Sequence, residues 1–274
     1  MDRFAGRVVL VTGASSGVGA AIAREFARQG ADLVLVARRF PRLLSLADEL
    51  RATGRRALAL MGDVTVDGAV EEAVKQALAA FGRLDVAVAN AGFGVVGPFE
   101  RLVLDDYRRQ FETNVFGVLR TASATLPALR SSRGTLVIVG SVSGHVPTPG
   151  ASAYAMSKAA VHALAGSLRA EVLADGVGVV LVIPGFVESE IRRVDNRGVH
   201  HPDARDPVPS WLVVPADRAA RVIVRAVARR RREVVVTGHG KVVVWVARHL
   251  PSLLAFALER GGYRSRGEPA NGAP

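Results

Sequence analysis

The feature that most constrains the fold is a regular alternation of short apolar runs with segments of helical spacing. The apolar runs cover residues 7–12, 31–37, 56–61, 84–89, 134–139, 177–183 and 233–236. The helical segments cover residues 17–29, 43–53, 66–81, 105–126, 152–174 and 215–230. Continuously apolar strands are typical of sheets covered on both faces, and strand–helix alternation requires parallel pairing through right-handed crossovers. The sequence therefore predicts a single α/β domain with a doubly wound, seven-stranded parallel sheet flanked by helices.

Composition excludes several kinds of chemistry. The 274 residues include no cysteine, which rules out disulfides, thiolate catalysis and cysteine-ligated metal sites. An apolar share of 49% suits a packed core. No apolar run approaches the ~20 residues that span a bilayer, and the run at 8–11 ends in a glycine-rich turn, unlike a secretory signal. We therefore expect a cytoplasmic protein.

The formal net charge is +11, and arginine supplies most of the basic residues. These residues are scattered, which favours solubility and compositional bias over a nucleic-acid or anionic-membrane partner. One basic run, 229–232, closes a predicted helix, where arginines complement the helix dipole. It lacks the surrounding aromatic residues on which single-stranded bases stack. We predict no nucleic-acid partner, and nucleic-acid binding is the least favoured function.

A glycine-rich turn separates the first predicted strand from the first predicted helix. It reads Thr12-Gly13-Ala14-Ser15-Ser16-Gly17-Val18-Gly19, with the spacing G-x3-G-x-G. Glycines let the backbone approach a ligand closely, and the following helix presents unpaired N–H groups to a pyrophosphate. Glycine is also common in turns that bind nothing, so the glycines alone do not indicate a ligand. The position of the turn, directly after the first strand of a parallel sheet, is what indicates a dinucleotide site.

Further motifs follow along the chain. They are Asp63-Val64, Asn90-Ala91-Gly92, Asn114, Ser141, Tyr154-x-x-x-Lys158 and Pro184-Gly185. With the glycine turn, this set resembles the short-chain dehydrogenase/reductase family over roughly residues 6–236, which is most of the chain. The resemblance implies a Rossmann-type fold and an enzyme that transfers a hydride between a nicotinamide cofactor and an alcohol/carbonyl pair.

Tyr154 and Lys158 lie four residues apart at the start of a predicted helix, so they share one face. A lysine ammonium near a phenol favours the phenolate and lowers the tyrosine pKa toward neutrality. Such a tyrosine exchanges a proton with a substrate oxygen, which Ser141, at the end of the preceding predicted strand, is placed to hydrogen-bond. Alone, the pair would more often be a core tyrosine beside a surface lysine, but Ser141 and the glycine turn favour catalysis.

By resemblance, Tyr154 is the general acid/base, Ser141 polarises the substrate oxygen and Lys158 also bonds the nicotinamide ribose. Asn114 lies in the segment 113–117, which matches the family, and holds a water of the proton relay. The alternative for Asn114 is an ordinary helix asparagine.

The resemblance also assigns residues to the cofactor. Asp63 bonds the adenine, with Val64 beside the ring, although a turn or helix-cap aspartate is a fair alternative. The other assigned residues are Gly13, Ser15, Ser16, Gly17, Val18 and Gly19 at the pyrophosphate, Asn90, Ala91 and Gly92 beside the adenosine ribose, and Pro184, Gly185, Val187 and Ser189 at the nicotinamide. The family often has threonine where this chain has Ser189, and both supply a hydroxyl.

Arg38 and Arg39 follow the second predicted strand, at the position of the adenosine ribose. A carboxylate there would bond the 2′-hydroxyl of NAD and repel a 2′-phosphate, but neither Ala37 nor Arg38 is acidic. A guanidinium suits the phosphate, as in NADP-dependent members of the family. The second basic residue frequent in their glycine turn is Ser16 here, so the prediction of NADP(H) over NAD(H) rests mainly on Arg38. A solvated arginine pair is the alternative.

The predicted dinucleotide-binding catalytic domain covers residues 1–240 and includes an aperiodic substrate loop at 185–214. Residues 241–260 form an apolar extension, which we expect to break into two helices at Pro251. Its burial in an oligomer or over the substrate entrance is favoured over contact with a membrane surface. The glycine- and proline-rich tail 261–274 is expected to be disordered.

Family members usually pair through two long helices, which correspond to residues 105–126 and 152–174 here. The resemblance therefore implies a homo-dimer or homo-tetramer. A non-catalytic dinucleotide-binding regulatory protein is the alternative function, and the intact Ser141, Tyr154 and Lys158 argue against it.

The substrate is predicted to be a lipophilic alcohol or carbonyl compound. Phe93, Val95, Val146 and Phe186 flank the motif residues and suit an apolar pocket wall, although core residues would look the same in sequence. No metal site is predicted, because the histidine pair His200-His201 consists of adjacent residues, which seldom point at one ion. Asp203 and Asp206 are interpreted as loop solvation, and Trp211 as either a substrate cover or a packing residue of its loop.

Overall fold

A computed structural model describes residues 2–260 of the chain. The seven strands are β1 (Val8–Thr12), β2 (Asp32–Ala37), β3 (Ala57–Met61), β4 (Val86–Ala89), β5 (Thr135–Val139), β6 (Gly178–Ile183) and β7 (Glu233–Val235). They form one sheet of order β3-β2-β1-β4-β5-β6-β7 in which every pair is parallel. The predicted doubly wound, Rossmann-type sheet is confirmed.

Helices cover both faces of this sheet. They are α1 (Gly17–Arg28), α2 (Phe40–Ala52), α3 (Ala69–Phe81), α4 (Leu104–Phe111), α5 (Gly117–Ser132), α6 (Ser152–Glu171), α7 (Ala216–Ala228), α8 (Gly238–His249) and α9 (Pro251–Arg260). Along β1, Val9 and Val11 face the core shared with α1, α2 and α7. Val8 and Leu10 face the core shared with α3, α5 and α6. Both faces are thus buried, which explains why the strands are apolar along most of their length and do not alternate apolar with polar residues.

The strand order reverses between β1 and its two neighbours. Val11 pairs with Leu35 of β2 on one side and with Val88 of β4 on the other. The chain therefore builds the sheet first toward one edge, through β2 and β3, and then toward the other edge, from β4 onward. This reversal opens a crevice at the carboxyl ends of β1 and β4, where ligands bind in such folds.

The helical segment predicted at 105–126 is confirmed, but it is not a uniform α-helix. The structure has α4 and α5, joined by a π-helical turn at Glu112–Phe116, and α5 continues to Ser132. The π-helical turn bulges the backbone between the two α-helices, and such bulges are frequent at functional sites.

The C-terminal part of the described chain contains the expected break at Pro251, which is the first residue of α9. The first of the two helices starts at Gly238, inside the predicted catalytic domain, and buries Val244 in the sheet core. Within residues 2–260 no single helix is long and apolar enough to cross a membrane, but α8 and α9 together, bent by 113°, meet that test by length and composition. The predicted disordered tail, 261–274, lies outside the described residues.

Candidate active site

The glycine turn is held against β4 by one amide side chain. Asn90 Nδ2 donates to the carbonyl oxygens of Thr12 (3.0 Å) and Gly13 (3.3 Å). Gly13 has φ +68°, and a Cβ on it would lie 2.8 Å from the Ala91 Cα. A Cβ on Gly19 would lie 2.5 Å from Asn90 Nδ2. Glycine is therefore required at both positions, because Asn90 and Ala91, which follow the neighbouring strand β4, and the Gly13 carbonyl leave no room for a Cβ. Asn90 holds the turn in place through its side-chain hydrogen bonds.

Helix α1 begins directly after this turn. Ser16 at its N-cap is extended, and among residues 2–260 no side chain caps the first N–H groups of the helix. Uncapped N–H groups and the positive end of the dipole form an anion-binding site. The geometry therefore fits the pyrophosphate position assigned to the turn from the sequence.

Asn114 lies in the π-helical turn and is fully buried. Its Oδ1 accepts from the Phe93 N–H (3.1 Å), and its Nδ2 donates to the Phe93 carbonyl (3.0 Å) and to Ser157 Oγ (3.2 Å). A Cβ on Gly92 would lie 3.0 Å from Asn114 Oδ1. The π turn thus places Asn114 between the end of β4 and α6, where it fixes the backbone that follows Asn90.

Ser141 follows β5 and starts a short 3-10 turn. Its Oγ accepts from the Ser143 N–H (3.1 Å). Tyr154, in the first turn of α6, lies close enough to Ser141 for that hydroxyl to lower its pKa, and the positive charge of Arg192 lowers it too, but burial outweighs both and raises the pKa of Tyr154. The two hydroxyls predicted to act together therefore lie near one another.

Lys158 lies one turn after Tyr154 and is buried. Its Nζ donates to the Val139 carbonyl (2.9 Å) and lies 5.7 Å from the centroid of the Tyr154 ring. Burial lowers the pKa of Lys158 to about 8. The expectation that Lys158 brings the tyrosine pKa toward neutrality is therefore wrong for this arrangement, because the ammonium faces the ring and a carbonyl while the phenol is desolvated.

The adenine-side residues adopt a turn. Asp63 Oδ1 accepts from the N–H (3.0 Å) and hydroxyl (2.9 Å) of Thr65, so the turn alternative describes its contacts here. Val64 beside it is buried. Arg38 is 67% exposed and approaches Asp63 Oδ2 at 3.7 Å. Arg39 instead lies on the glycine turn, since its Nη2 donates to Ser16 Oγ (2.6 Å) and its Nε to Ser15 Oγ (3.3 Å).

The segment after β6 closes the other side of the crevice. The Pro184 carbonyl accepts from the Val142 N–H (2.9 Å), next to Ser141. A Cβ on Gly185 would lie 2.6 Å from His239 Nε2, which accepts from the Phe186 N–H (3.2 Å). Val187 is buried and bridges to Val214, which brings the two ends of the substrate loop together.

Among the residues assigned to an apolar wall, Val95 and Val146 are buried, whereas Phe186 is half-exposed and stacks on His239. Trp211 is 81% exposed. Phe93, the fourth residue assigned to the wall, is partly exposed, so Phe93 and Phe186 are the predicted wall residues that present an apolar face to the crevice.

The histidine pair takes separate partners. His201 Nε2 hydrogen-bonds Asp195 Oδ2 (2.9 Å), whereas His200 Nε2 lies 3.9 Å from Glu190 Oε1. In the part of the chain that the structure describes, no three histidine or carboxylate side chains are grouped as metal ligands.

A family model described as short chain dehydrogenase matches residues 7–199. The chain belongs to the short-chain dehydrogenase/reductase family. It is 36% identical over 275 aligned positions to an 11-beta-hydroxysteroid dehydrogenase A of Sesamum indicum, covering 98% of this chain and 79% of the relative. It is 38% identical to the oxidoreductase UcpA of Escherichia coli K12, covering 69% of this chain and 72% of that protein.

Solved structures agree with this membership. A short-chain dehydrogenase/reductase of Burkholderia phymatum in complex with NAD has a TM-score of 0.82 at 27% identity, covering 92% of this chain and 96% of its own. An alcohol dehydrogenase of Thermococcus sibiricus complexed with 5-hydroxy-NADP has a TM-score of 0.73 at 30% identity, covering 84% of this chain and 95% of its own. This short-chain dehydrogenase/reductase is an oxidoreductase, and its structural neighbours hold cofactors of both the NAD and the NADP type.

Three residues of this short-chain dehydrogenase/reductase escaped the sequence reasoning. His162 Nε2 accepts from the Ser141 N–H (3.3 Å), and its spacing of four from Lys158 was the available signal. Arg192, in the substrate loop, lowers the pKa of Tyr154 through its positive charge. Asp206 holds the Arg192 guanidinium through two hydrogen bonds (2.6 and 2.7 Å). Asp206 is therefore a structural partner instead of the solvated loop residue that was expected. Glu190 meets Arg39, and no local pattern in the sequence relates those two positions.

Proposed function

We propose that this enzyme transfers a hydride between NADP(H) and a lipophilic alcohol/carbonyl pair, with Tyr154 as the proton donor and acceptor. The observation that carries the proposal is the placement of Ser141, after β5, close to Tyr154 in the first turn of α6, with Lys158 and Asn114 buried beside them. The nicotinamide supplies or accepts the hydride when it is bound. The residues themselves bind, orient and move a proton.

Tyr154 manages the proton of the substrate oxygen. Because burial raises the pKa of Tyr154, the phenol carries its proton at neutral pH and can donate it to a carbonyl oxygen during reduction. During oxidation the phenolate accepts the carbinol proton, so the rate of alcohol oxidation should increase as the pH rises and more Tyr154 is deprotonated. Ser141 hydrogen-bonds the same oxygen, while Lys158 and Asn114 hold the flanking backbone through Val139 and Phe93.

The residues present fit a dinucleotide. The uncapped start of α1 suits the pyrophosphate, and the segment from Pro184 to Ser189 borders the side where the nicotinamide would lie. Arg39 supports the choice of NADP(H), because its guanidinium lies on Ser15 and Ser16 at the adenosine end of the turn. A guanidinium binds a phosphate through parallel charge-assisted hydrogen bonds, and this stabilisation is absent for the 2′-hydroxyl of NAD.

The lipophilic substrate is supported by the half-exposed Phe186 at the crevice and by the name of the sesame relative, a hydroxysteroid dehydrogenase. A steroid alcohol is apolar apart from its oxygens, which matches a site whose polar groups converge on one oxygen.

A titration with both reduced cofactors at one salt concentration tests the cofactor choice, and a panel of alcohols and ketones followed by NADPH absorbance tests the reaction. We expect NADPH to bind at least about tenfold more tightly than NADH, because one charge-assisted hydrogen bond contributes about 1.5–3 kcal/mol. Arg39→Ala should remove that preference. Arg101→Ala, at an exposed arginine in the segment between β4 and α4, is the control and should retain it. Equal affinities in the unmodified protein would contradict the proposal.

A further inference from the structure

One carboxylate of the substrate loop is held by two arginines of the cofactor side. Glu190 Oε2 accepts from Arg39 Nη1 (2.7 Å), and Arg42 Nη1 donates to Glu190 Oε1 (2.7 Å) and Oε2 (2.9 Å). The same Arg39 guanidinium bonds Ser16 of the glycine turn. Glu190 therefore ties the loop to the β2–α2 connection directly beside the turn.

Glu190 is an anion throughout the physiological range. Burial disfavours its charged form, but hydrogen bonds from Arg42 and Arg39 outweigh that cost and lower the pKa of Glu190 to about 2. Its neighbour Ser189 lies against the turn as well, since a Cβ on Gly17 would lie 3.0 Å from Ser189 Oγ. An anion thus sits on the guanidinium assigned above to the 2′-phosphate.

We propose that Glu190 is a specificity-determining residue that competes with the cofactor's 2′-phosphate for Arg39 and Arg42, so that NADP(H) binding releases the substrate loop from the glycine turn. This inference rests on the proposed use of NADP(H). A carboxylate and a phosphomonoester offer the same kind of acceptor oxygens to a guanidinium, so they exclude each other at one arginine pair. A cofactor without the 2′-phosphate leaves the Glu190 contacts in place. The loop is then freed only by the phosphorylated cofactor, which couples cofactor choice to the substrate side of the crevice.

The test uses the full chain and two adenosine ligands that differ by one group, adenosine 2′,5′-bisphosphate and adenosine 5′-monophosphate. Calorimetric titration of the unmodified protein and Glu190→Gln measures the ratio of the two affinities. We expect Glu190→Gln to raise that ratio by about tenfold, because removing the competing charge frees both guanidiniums. Glu188→Gln is the matched control: it removes a charge two residues away, on a side chain that accepts from the Ala216 N–H, and should leave the ratio unchanged.

Hydrogen exchange reports the loop directly. The bisphosphate should speed amide exchange in residues 186–194 of the unmodified protein relative to the monophosphate, and Glu190→Gln should show fast exchange with either ligand. If the bisphosphate is preferred but the ratio in Glu190→Gln matches that of the unmodified protein, the role of Glu190 is overturned while the proposed NADP(H) function stands. If neither protein prefers the bisphosphate, both are overturned.

Discussion

Tyr154 is the residue on which the proposed reaction depends most directly. Tyr154→Phe keeps the ring and removes only the hydroxyl that exchanges the proton, so kcat should fall by about 100- to 10,000-fold, the usual contribution of a positioned general acid. Cofactor affinity, measured by fluorescence titration, should change by less than about twofold.

Tyr107→Phe provides the matched control, because that phenol hydrogen-bonds Ser152 Oγ (2.7 Å) at the start of the same helix. It should retain most of the activity. A Tyr154→Phe enzyme with substantial turnover would mean that another group supplies the proton.

His162 predicts a pH dependence of stability. Burial lowers the pKa of His162 to about 4, from 6.5, and its Nε2 accepts from the Ser141 N–H. Between pH 6.5 and about 4, His162 is protonated in the unfolded chain but neutral in the folded chain. The free energy of unfolding therefore falls as the pH drops through this range. Above 6.5 this group contributes no pH dependence.

Denaturant unfolding at pH 7.5 and 5.0 checks this expectation. His162→Gln keeps an acceptor but does not titrate, so the stability of the unmodified protein should fall more steeply with acid than that of the variant. His249→Gln, at an exposed histidine of α8, is the control and should follow the unmodified protein. Curves for His162→Gln and the unmodified protein that stay parallel between pH 7.5 and 5.0 would exclude His162 as the titrating group.

The sequence predicted which side chains meet but not how the environment sets their pKa values. The spacing of Tyr154 and Lys158 places them one turn apart on a helix, and the structure confirms that placement. Their pKa values depend on how far each side chain is desolvated and on which group the ammonium contacts. Here Lys158 donates to the carbonyl of Val139, which lies in β5. Such a contact is a property of the packed fold and has no local pattern.

At the scale of elements, apolar periodicity predicted all seven strands because both faces of the sheet are buried. The π-helical turn at Glu112–Phe116 was missed, since one extra residue in a turn changes hydrogen bonding while leaving the apolar spacing nearly intact. The Pro251 break was predicted because proline lacks the N–H and fixes φ, which are strictly local constraints.

The two C-terminal helices should differ in their contribution to stability. α8 buries Val244 and pairs Arg248 with Glu233 of β7 (2.7 Å), whereas none of the described residues of α9 is buried. A chain ending at Leu250 should therefore unfold within about 3 °C of a control chain ending at Arg260. A chain ending at Thr237 should lose more than about 5 °C, because burying one valine alone contributes about 1.5–3 kcal/mol.

Thermal unfolding followed by circular dichroism distinguishes these chains. A large loss of stability on removing α9 alone would mean that its apolar side chains, among them Leu253 and Phe256, are covered in the assembled protein.

At the scale of the whole molecule, function depends on bringing distant parts of the chain to one edge of the sheet. The glycine turn after β1, Asn90 after β4, Ser141 after β5 and Pro184 after β6 all follow carboxyl ends of neighbouring parallel strands. Parallel pairing alone guarantees that convergence, which is why one residue per strand end could be predicted from order in the chain. The Glu190–Arg39 contact joins two loops across the same edge and depends on how far each loop reaches.

The outer surface formed by α6 and the π-helical turn has the features of a contact surface between two copies of the chain. Phe116 and Met156 are exposed there, and α6 presents small exposed residues, Ala159, Ala163 and Gly166, that would let a second helix approach closely. We expect the protein to form a homo-dimer or homo-tetramer through this surface, in line with its family resemblance. Light scattering at micromolar concentration should then give twice or four times the 28.9 kDa of one chain.

Ala163→Arg should reduce that mass to a single chain, because a long charged side chain at the centre of a close-packed surface separates the helices and buries an unpaired charge. Leu44→Arg, on α2 at the opposite face of the sheet, is the control and should keep the assembled mass. A mass of one chain for the unmodified protein would exclude the oligomer. An assembled mass for Ala163→Arg would place the contact on another surface, and the exposed apolar residues of α8 and α9 are the next region to substitute.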